Sequence, residues 1–135
     1  MKKTVFVLAV GLLYLLTACR GGAMDDLSGP DYSWQTITAA QAYGMMSEPG
    51  SFILLDVRTQ AEFQERHIDG ALLIPYDEIR DMAQTQLPDK DAVILVYCQS
   101  GRRSALAAAE LAALGYTNVY DFGGIINWPN EIISR

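Results

Sequence analysis

Four short apolar stretches punctuate the chain, Phe52–Asp56, Ala71–Ile74, Val93–Tyr97 and Val119–Phe122, each rich in β-branched or aromatic residues and hydrophobic without alternation. Such runs read as strands covered on both faces, as in a parallel sheet held between helices. The stretches between them carry helical signals. Thr38 is placed to cap a helix running to about Glu48, and Thr59 with Glu62 three residues on forms a capping box for a short helix toward Glu65. Ile79 and Met82 give helical spacing to a segment from Tyr76 to about Thr85. From Ser104 an alanine- and leucine-rich run closed by Gly115 is the strongest helix of the chain. Alternating strands and helices predict an α/β three-layer sandwich, with a mostly parallel central sheet flanked by helices. A functional site is then expected at the carboxyl ends of the strands.

The first residues follow another pattern. Lys2 and Lys3 precede an apolar run from Val5 to Leu16, which ends in Leu16-Thr17-Ala18-Cys19. A charged start, a short apolar stretch and small residues at a cleavage point read as an export signal. The run falls short of the roughly 18 residues a spanning helix needs. Its last four residues resemble the lipobox of bacterial lipoproteins, which implies removal of residues 1–18 and acylation of Cys19. The competing reading is an ordinary signal peptide or uncleaved anchor with an incidental cysteine. Two acyl chains make a stable attachment where one holds only marginally. Residues 19–33, with Gly21, Gly22, Ser28, Gly29 and Pro30, read as a lipid-anchored flexible linker, and 34–135 as the folded domain. The expected location is outside the cytoplasm, lipid-anchored to a bacterial membrane in the periplasm or at the cell surface. Arg20 follows Cys19, so the aspartate that marks inner-membrane retention in some bacteria is absent.

Composition narrows the chemistry. With 135 residues, half of them hydrophobic, the chain is sized for one globular domain. Its formal charge is −6, and losing Lys2 and Lys3 moves it to −8, with eight basic residues against sixteen acidic ones. That balance excludes nucleic acid as a partner recognised through charge. Once Cys19 is acylated, Cys98 is the only remaining thiol, so no internal disulfide forms even in an oxidising compartment. One histidine and one thiol without ligand spacing call for no metal and no other cofactor. A monomer is expected.

Val93–Tyr97 runs directly into Cys98-Gln99-Ser100-Gly101-Arg102-Arg103-Ser104, where the best helix begins. A thiol between a strand's carboxyl end and a helix amino terminus meets unpaired N–H groups, the positive end of the helix dipole and nearby arginines, all of which favour the thiolate. Gly101 permits a tight loop whose amides turn inward. A cradle of amides flanked by Arg102 and Arg103 suits an anion held next to sulfur, and thiosulfate fits. The bland alternative is a small buried core cysteine after a buried strand. The glycine, two arginines and helix start in the next six positions weigh against it.

Cys98-x-Ser100-Gly101-x-Arg103-Ser104 resembles the active-site loop of the rhodanese superfamily. Leu54-Leu55-Asp56-Val57-Arg58, Glu62-Phe63, His67-Ile68, Gly70-Ala71 and Ile74-Pro75 resemble its amino-terminal signature, and Gly123-Gly124 with Trp128 the glycine pair and tryptophan that close the domain. Together they cover about residues 36 to 130. Arg66 stands where many members have glycine. The resemblance implies the rhodanese-like form of the sandwich, Cys98 as a persulfide-forming nucleophile, Gln99, Ser100, Gly101, Arg102 and Arg103 as the anion cradle, and Arg58 as a group reaching the substrate's charged end. Asp56 and His67 match signature positions but read as structural: a strand-end carboxylate holding backbone or Arg58, and a turn histidine. Glu62 and Phe63 read as helix cap and core, Trp34 and Trp128 as core or rim packing.

The resemblance also admits phosphatases and arsenate reductases of this fold, and loop length separates them, because a phosphate-sized anion needs a longer Cys-x5-Arg loop. Here the second arginine arrives at Cys-x4-Arg, which favours sulfur. The expected activity is transfer of a sulfane sulfur from a small anionic donor such as thiosulfate to a thiol or cyanide acceptor. Two rivals remain: a partner-fed persulfide carrier or interaction module with little free turnover, and a redox role for Cys98, for which no second thiol exists as resolving partner. Position in the family fold places Tyr76 to Pro88 at the pocket rim, with influence over the acceptor.

Overall fold

Five parallel strands form the central sheet of the computed structural model, which describes residues 33–130 and 133–134. The signal segment, Cys19 and nearly all of the expected linker lie outside the described residues. The elements run β1 (Gln35–Thr36), α1 (Ala39–Ser47), β2 (Phe52–Asp56), α2 (Gln60–Glu65), β3 (Arg66–His67), β4 (Leu72–Leu73), α3 (Ile79–Gln86), β5 (Val93–Cys98), α4 (Arg102–Ala113), β6 (Asn118–Gly124), a 3-10 turn (Ile125–Asn127) and β7 (Ile133–Ser134). Sheet order is β1-β6-β5-β2-β4, and β3 pairs with β7 as a separate antiparallel ribbon.

Alternation along β5 shows how one sequence serves two cores, because successive strand residues point to opposite faces. Ile94, Val96 and Cys98 face α3 and α4, where Ile79, Ala83, Ala107, Ala108 and Leu111 cover them. Leu95 and Tyr97 face the other layer, with Ala39 and Ala42 of α1, Phe122 and Ile125. Alanines on the buried stripe of α4 let the helix lie close to the sheet, and each large aliphatic buried there contributes about 1.5–3 kcal/mol.

The expected capping box at Thr59 is present, and the cap expected at Thr38 is a full capping box as well. Thr38 accepts from the Gln41 amide while the Gln41 side chain accepts from the Thr38 amide, and Thr59 and Glu62 make the same exchange. Two helix starts differ from the sequence expectation. α3 begins at Ile79 rather than Tyr76, because the Tyr76 amide donates to Val57 O and Glu78 N to Pro75 O, forming a turn first. α4 begins at Arg102, two residues before Ser104, because Gly101 adopts φ +106° and takes the cap position.

Candidate active site

The register of β5 against β6 is irregular between Val96 and Cys98, and Cys98 then faces Gly124. This brings the end of β6 up against the loop that follows Cys98. A Cβ built on Gly124 would lie 2.4 Å from Gln99 O and 2.7 Å from Ser100 Cα, so only glycine admits the loop here. Gly123 turns at φ +86°, and its amide donates to Asp121 Oδ1 at 2.9 Å, fixing the turn from the sheet side.

Cys98 is buried, with its sulfur beneath the loop. Gly101 N donates to Sγ at 3.0 Å. The thiol donates in turn to Ser104 Oγ at 3.6 Å, and the Ser104 hydroxyl donates to Gly101 O at 3.0 Å. When the sulfur is ionised, that hydroxyl has only to rotate to donate to it instead. Burial alone pushes the thiol up. Hydrogen bonds from the Ser104 hydroxyl and from the Ser104, Gly101 and Ser100 amides outweigh burial and hold Cys98 below the ordinary thiol range. The amino terminus of α4 adds the positive end of its dipole.

The arginines divide into three situations. Arg58 is buried beside Asp56, with Nε 3.0 Å from Oδ1 and Nη2 2.7 Å from Oδ2, and Nη2 also donates to Arg66 O at 2.7 Å. Burial opposes its charge, but Asp56 more than offsets that, so the guanidinium stays cationic. Only Nη1 turns toward the loop, at 3.4 Å from Gln99 Oε1. Arg103 is held in a fork by Glu62, at 2.8 and 2.7 Å. Arg102 is exposed at the first position of α4.

Glu62 therefore joins two tasks, closing the α2 capping box and clamping the first turn of α4; Arg103 holds its carboxyl down at about 2. The sequence marks the first task only, since the second crosses 41 residues. Ser104, which the sequence marks only as the end of the Cys98 loop and the start of the helix, is also a partner of the sulfur. His67 is buried, stacked on Phe63 at 3.9 Å between ring centroids, with Nδ1 2.8 Å from Phe63 O. Trp128 meets Tyr43 edge-on at 6.0 Å and lies 5.5 Å from Phe122. Among the described residues no group of His, Cys, Asp and Glu is arranged to hold a metal ion.

The arrangement can therefore ionise a sulfur, hold negative charge beside it with fixed dipoles, and keep it in one orientation. Residues 38–131 match the model of the rhodanese-like domain. The chain is 39% identical over 71 residues to the thiosulfate sulfurtransferase PspE of Escherichia coli K12, covering 53% of this chain and 68% of that protein. It is 39% identical over 100 residues to the tRNA uridine(34) hydroxylase of Erwinia tasmaniensis, covering 70% of this chain but only 28% of that protein. A solved structure described as a rhodanese with anions from E. coli is similar with TM-score 0.59 and 33% identity, covering 63% of this chain and all of that one.

Proposed function

The chain belongs to the rhodanese-like domain family, and on that premise we propose that it is a thiosulfate sulfurtransferase working through a persulfide on Cys98. The observation that carries the reading is the convergence of the Gly101 amide and the Ser104 hydroxyl on the Cys98 sulfur, which holds the thiol below its ordinary range and favours the thiolate. The Cys98 thiolate attacks the outer sulfur of thiosulfate, the S–S bond of the donor breaks, and sulfite leaves with the electron pair. The persulfide anion then lies among the same amides. An acceptor, cyanide or a thiolate, attacks its outer sulfur, and Cys98 departs as thiolate. This is covalent catalysis that splits one transfer into two, with preorganised dipoles holding the charge in each half.

Gln99, Ser100 and Gly101 supply the cradle, Arg102 draws the anion in, and Arg103 fixes the helix end through Glu62. Arg58 acts from beneath through Gln99, since Asp56 occupies most of its guanidinium. Because the sulfur is buried, the donor must be narrow enough to enter the loop. Thiosulfate:cyanide sulfurtransferase activity of the full chain, beside Cys98→Ser, tests this. Turnover abolished by serine is expected. A wild-type protein that stays inactive with thiosulfate yet takes sulfur from a donor protein would move the partner-fed carrier to the front.

Export and acylation at Cys19 complete the proposal, supported by the Leu16-Thr17-Ala18-Cys19 motif. Incorporation of labelled fatty acid that is lost in Cys19→Ser tests that part.

A further inference from the structure

A cleft of about 360 Å³ opens between α3 and α4, lined by Tyr76, Asp77, Arg80, Asp81, Leu106 and Glu110. It lies beside the reactive loop. Val57 N donates to Tyr97 O and Tyr76 N to Val57 O, both at 3.0 Å, so Tyr76 stands two strand spacings, roughly 10 Å, from the residue preceding Cys98. Leu106 follows Arg102 by one turn of α4, about 6 Å along its axis.

Two features of the cleft are unlike an anion site. Tyr76 and Leu106 expose 40% and 52% of their surface, which gives it an apolar floor that sulfite or thiosulfate has no use for. Three carboxylates meet one guanidinium, and that guanidinium is taken, with Arg80 Nη2 2.6 Å from Glu110 Oε1. Among the described residues neither Asp77 nor Asp81 has an ion-pair partner. Apolar floor and unneutralised acid wall together are complementary to a basic polypeptide segment.

We propose that this cleft docks a protein sulfur acceptor whose reactive cysteine lies about three residues from basic side chains; three extended residues span the roughly 10 Å between the cleft and the residue preceding Cys98. The inference rests on the sulfur-transfer reading and names the acceptor class for it. The acceptor's cysteine, having lost its proton to solvent, attacks the outer sulfur of the Cys98 persulfide. The bond between the two sulfurs on Cys98 breaks, Cys98 leaves as thiolate, and the acceptor carries the persulfide away.

The test loads the full chain with thiosulfate and follows loss of the persulfide to three probes: a short cysteine peptide with a lysine pair about three residues on, its glutamate counterpart, and cyanide. The lysine peptide should discharge the protein about fivefold faster than the glutamate peptide, the factor that two exposed ion pairs supply. Asp77→Asn with Asp81→Asn should erase the preference and Asp77→Lys with Asp81→Lys reverse it. Glu48→Lys with Asp89→Lys, at the opposite ends of the strands, should leave the preference intact, and cyanide should react alike in all variants. Serine versions of the peptides read binding directly, by amide shifts expected at Tyr76, Arg80 and Leu106. Equal discharge of both peptides while cyanide still reacts, or shifts lying elsewhere, would overturn the docking surface and leave sulfur transfer standing. Failure to load sulfur at all would overturn the sulfur-transfer reading, and the acceptor role with it.

Discussion

Replacing Gly124 by alanine adds one methyl group at the point where β6 meets the reactive loop. Gly124 itself has φ −104° and ψ 144°, ordinary extended values, so alanine costs nothing in backbone conformation and the perturbation is purely steric. Its Cβ would sit 2.4 Å from Gln99 O, 2.7 Å from Ser100 Cα and 2.9 Å from Gln99 C, all backbone atoms with no rotamer to escape into. Restoring contact at about 3.4 Å requires the loop or strand to retreat by about 1 Å, an overpacking that costs about 1–3 kcal/mol. Where the loop is what retreats, the 3.0 Å bond from Gly101 N to Cys98 Sγ is stretched toward about 4 Å, the limit for a hydrogen bond to sulfur. A misplacement of this size at a reacting group lowers kcat/KM by about a hundredfold. Steady-state thiosulfate:cyanide kinetics and a urea unfolding curve, measured on the same preparation, check both parts. The reasoning is refuted if the alanine variant keeps activity within about threefold of wild type and unfolds at the same midpoint.

Ser104→Ala removes the hydroxyl that stabilises ionised Cys98, so the thiol pKa rises; the acid limb of a pH–alkylation profile should move to higher pH, and an unmoved limb would show that the amides suffice. Glu62→Gln keeps the cap acceptor for α2 but loses the ion pair with Arg103. The folded carboxyl, at about 2, lies below its ordinary 4.5, so the pair's stability is fully present above about pH 4.5 and fades as pH falls toward 2. The variant should therefore lose about 1 kcal/mol at neutral pH, a partly exposed pair being screened, and show a flatter acid limb in pH-dependent unfolding; an unchanged slope would contradict this. Asp56→Asn leaves Arg58 buried without its counter-charge and should cost about 3–5 kcal/mol in urea unfolding, whereas a wild-type midpoint would mean that Arg58 finds another partner.

Local chemistry was legible in the sequence and distant contacts were not. Thr38 and Thr59 announce their helices because a cap, or the capping box of Thr59 with Glu62, needs only a few consecutive residues, and β2 keeps its expected bounds because its apolar run is uninterrupted. β1, β3 and β7, of two residues each, offer no periodicity to read. The Cys98 loop stood out through its own composition, between a buried strand and an alanine-rich helix. The Arg58 partner was within reach of the sequence, since Asp56 at the strand end holds both its backbone and its guanidinium from two residues away. Arg103 did not show its partner, because it reaches across 41 residues to Glu62, a choice set by packing rather than by sequence spacing. The closeness of Gly124 to Gln99 likewise exists only once β5 and β6 pair.

The most direct test of the central claim is the intact mass of the full chain after brief treatment with thiosulfate, with Cys98→Ser alongside. One added sulfur atom is expected on the wild-type protein, lost again on adding cyanide, and none on the serine variant. A wild-type mass unchanged by thiosulfate, or a sulfur that the serine variant also gains, would contradict a persulfide on Cys98.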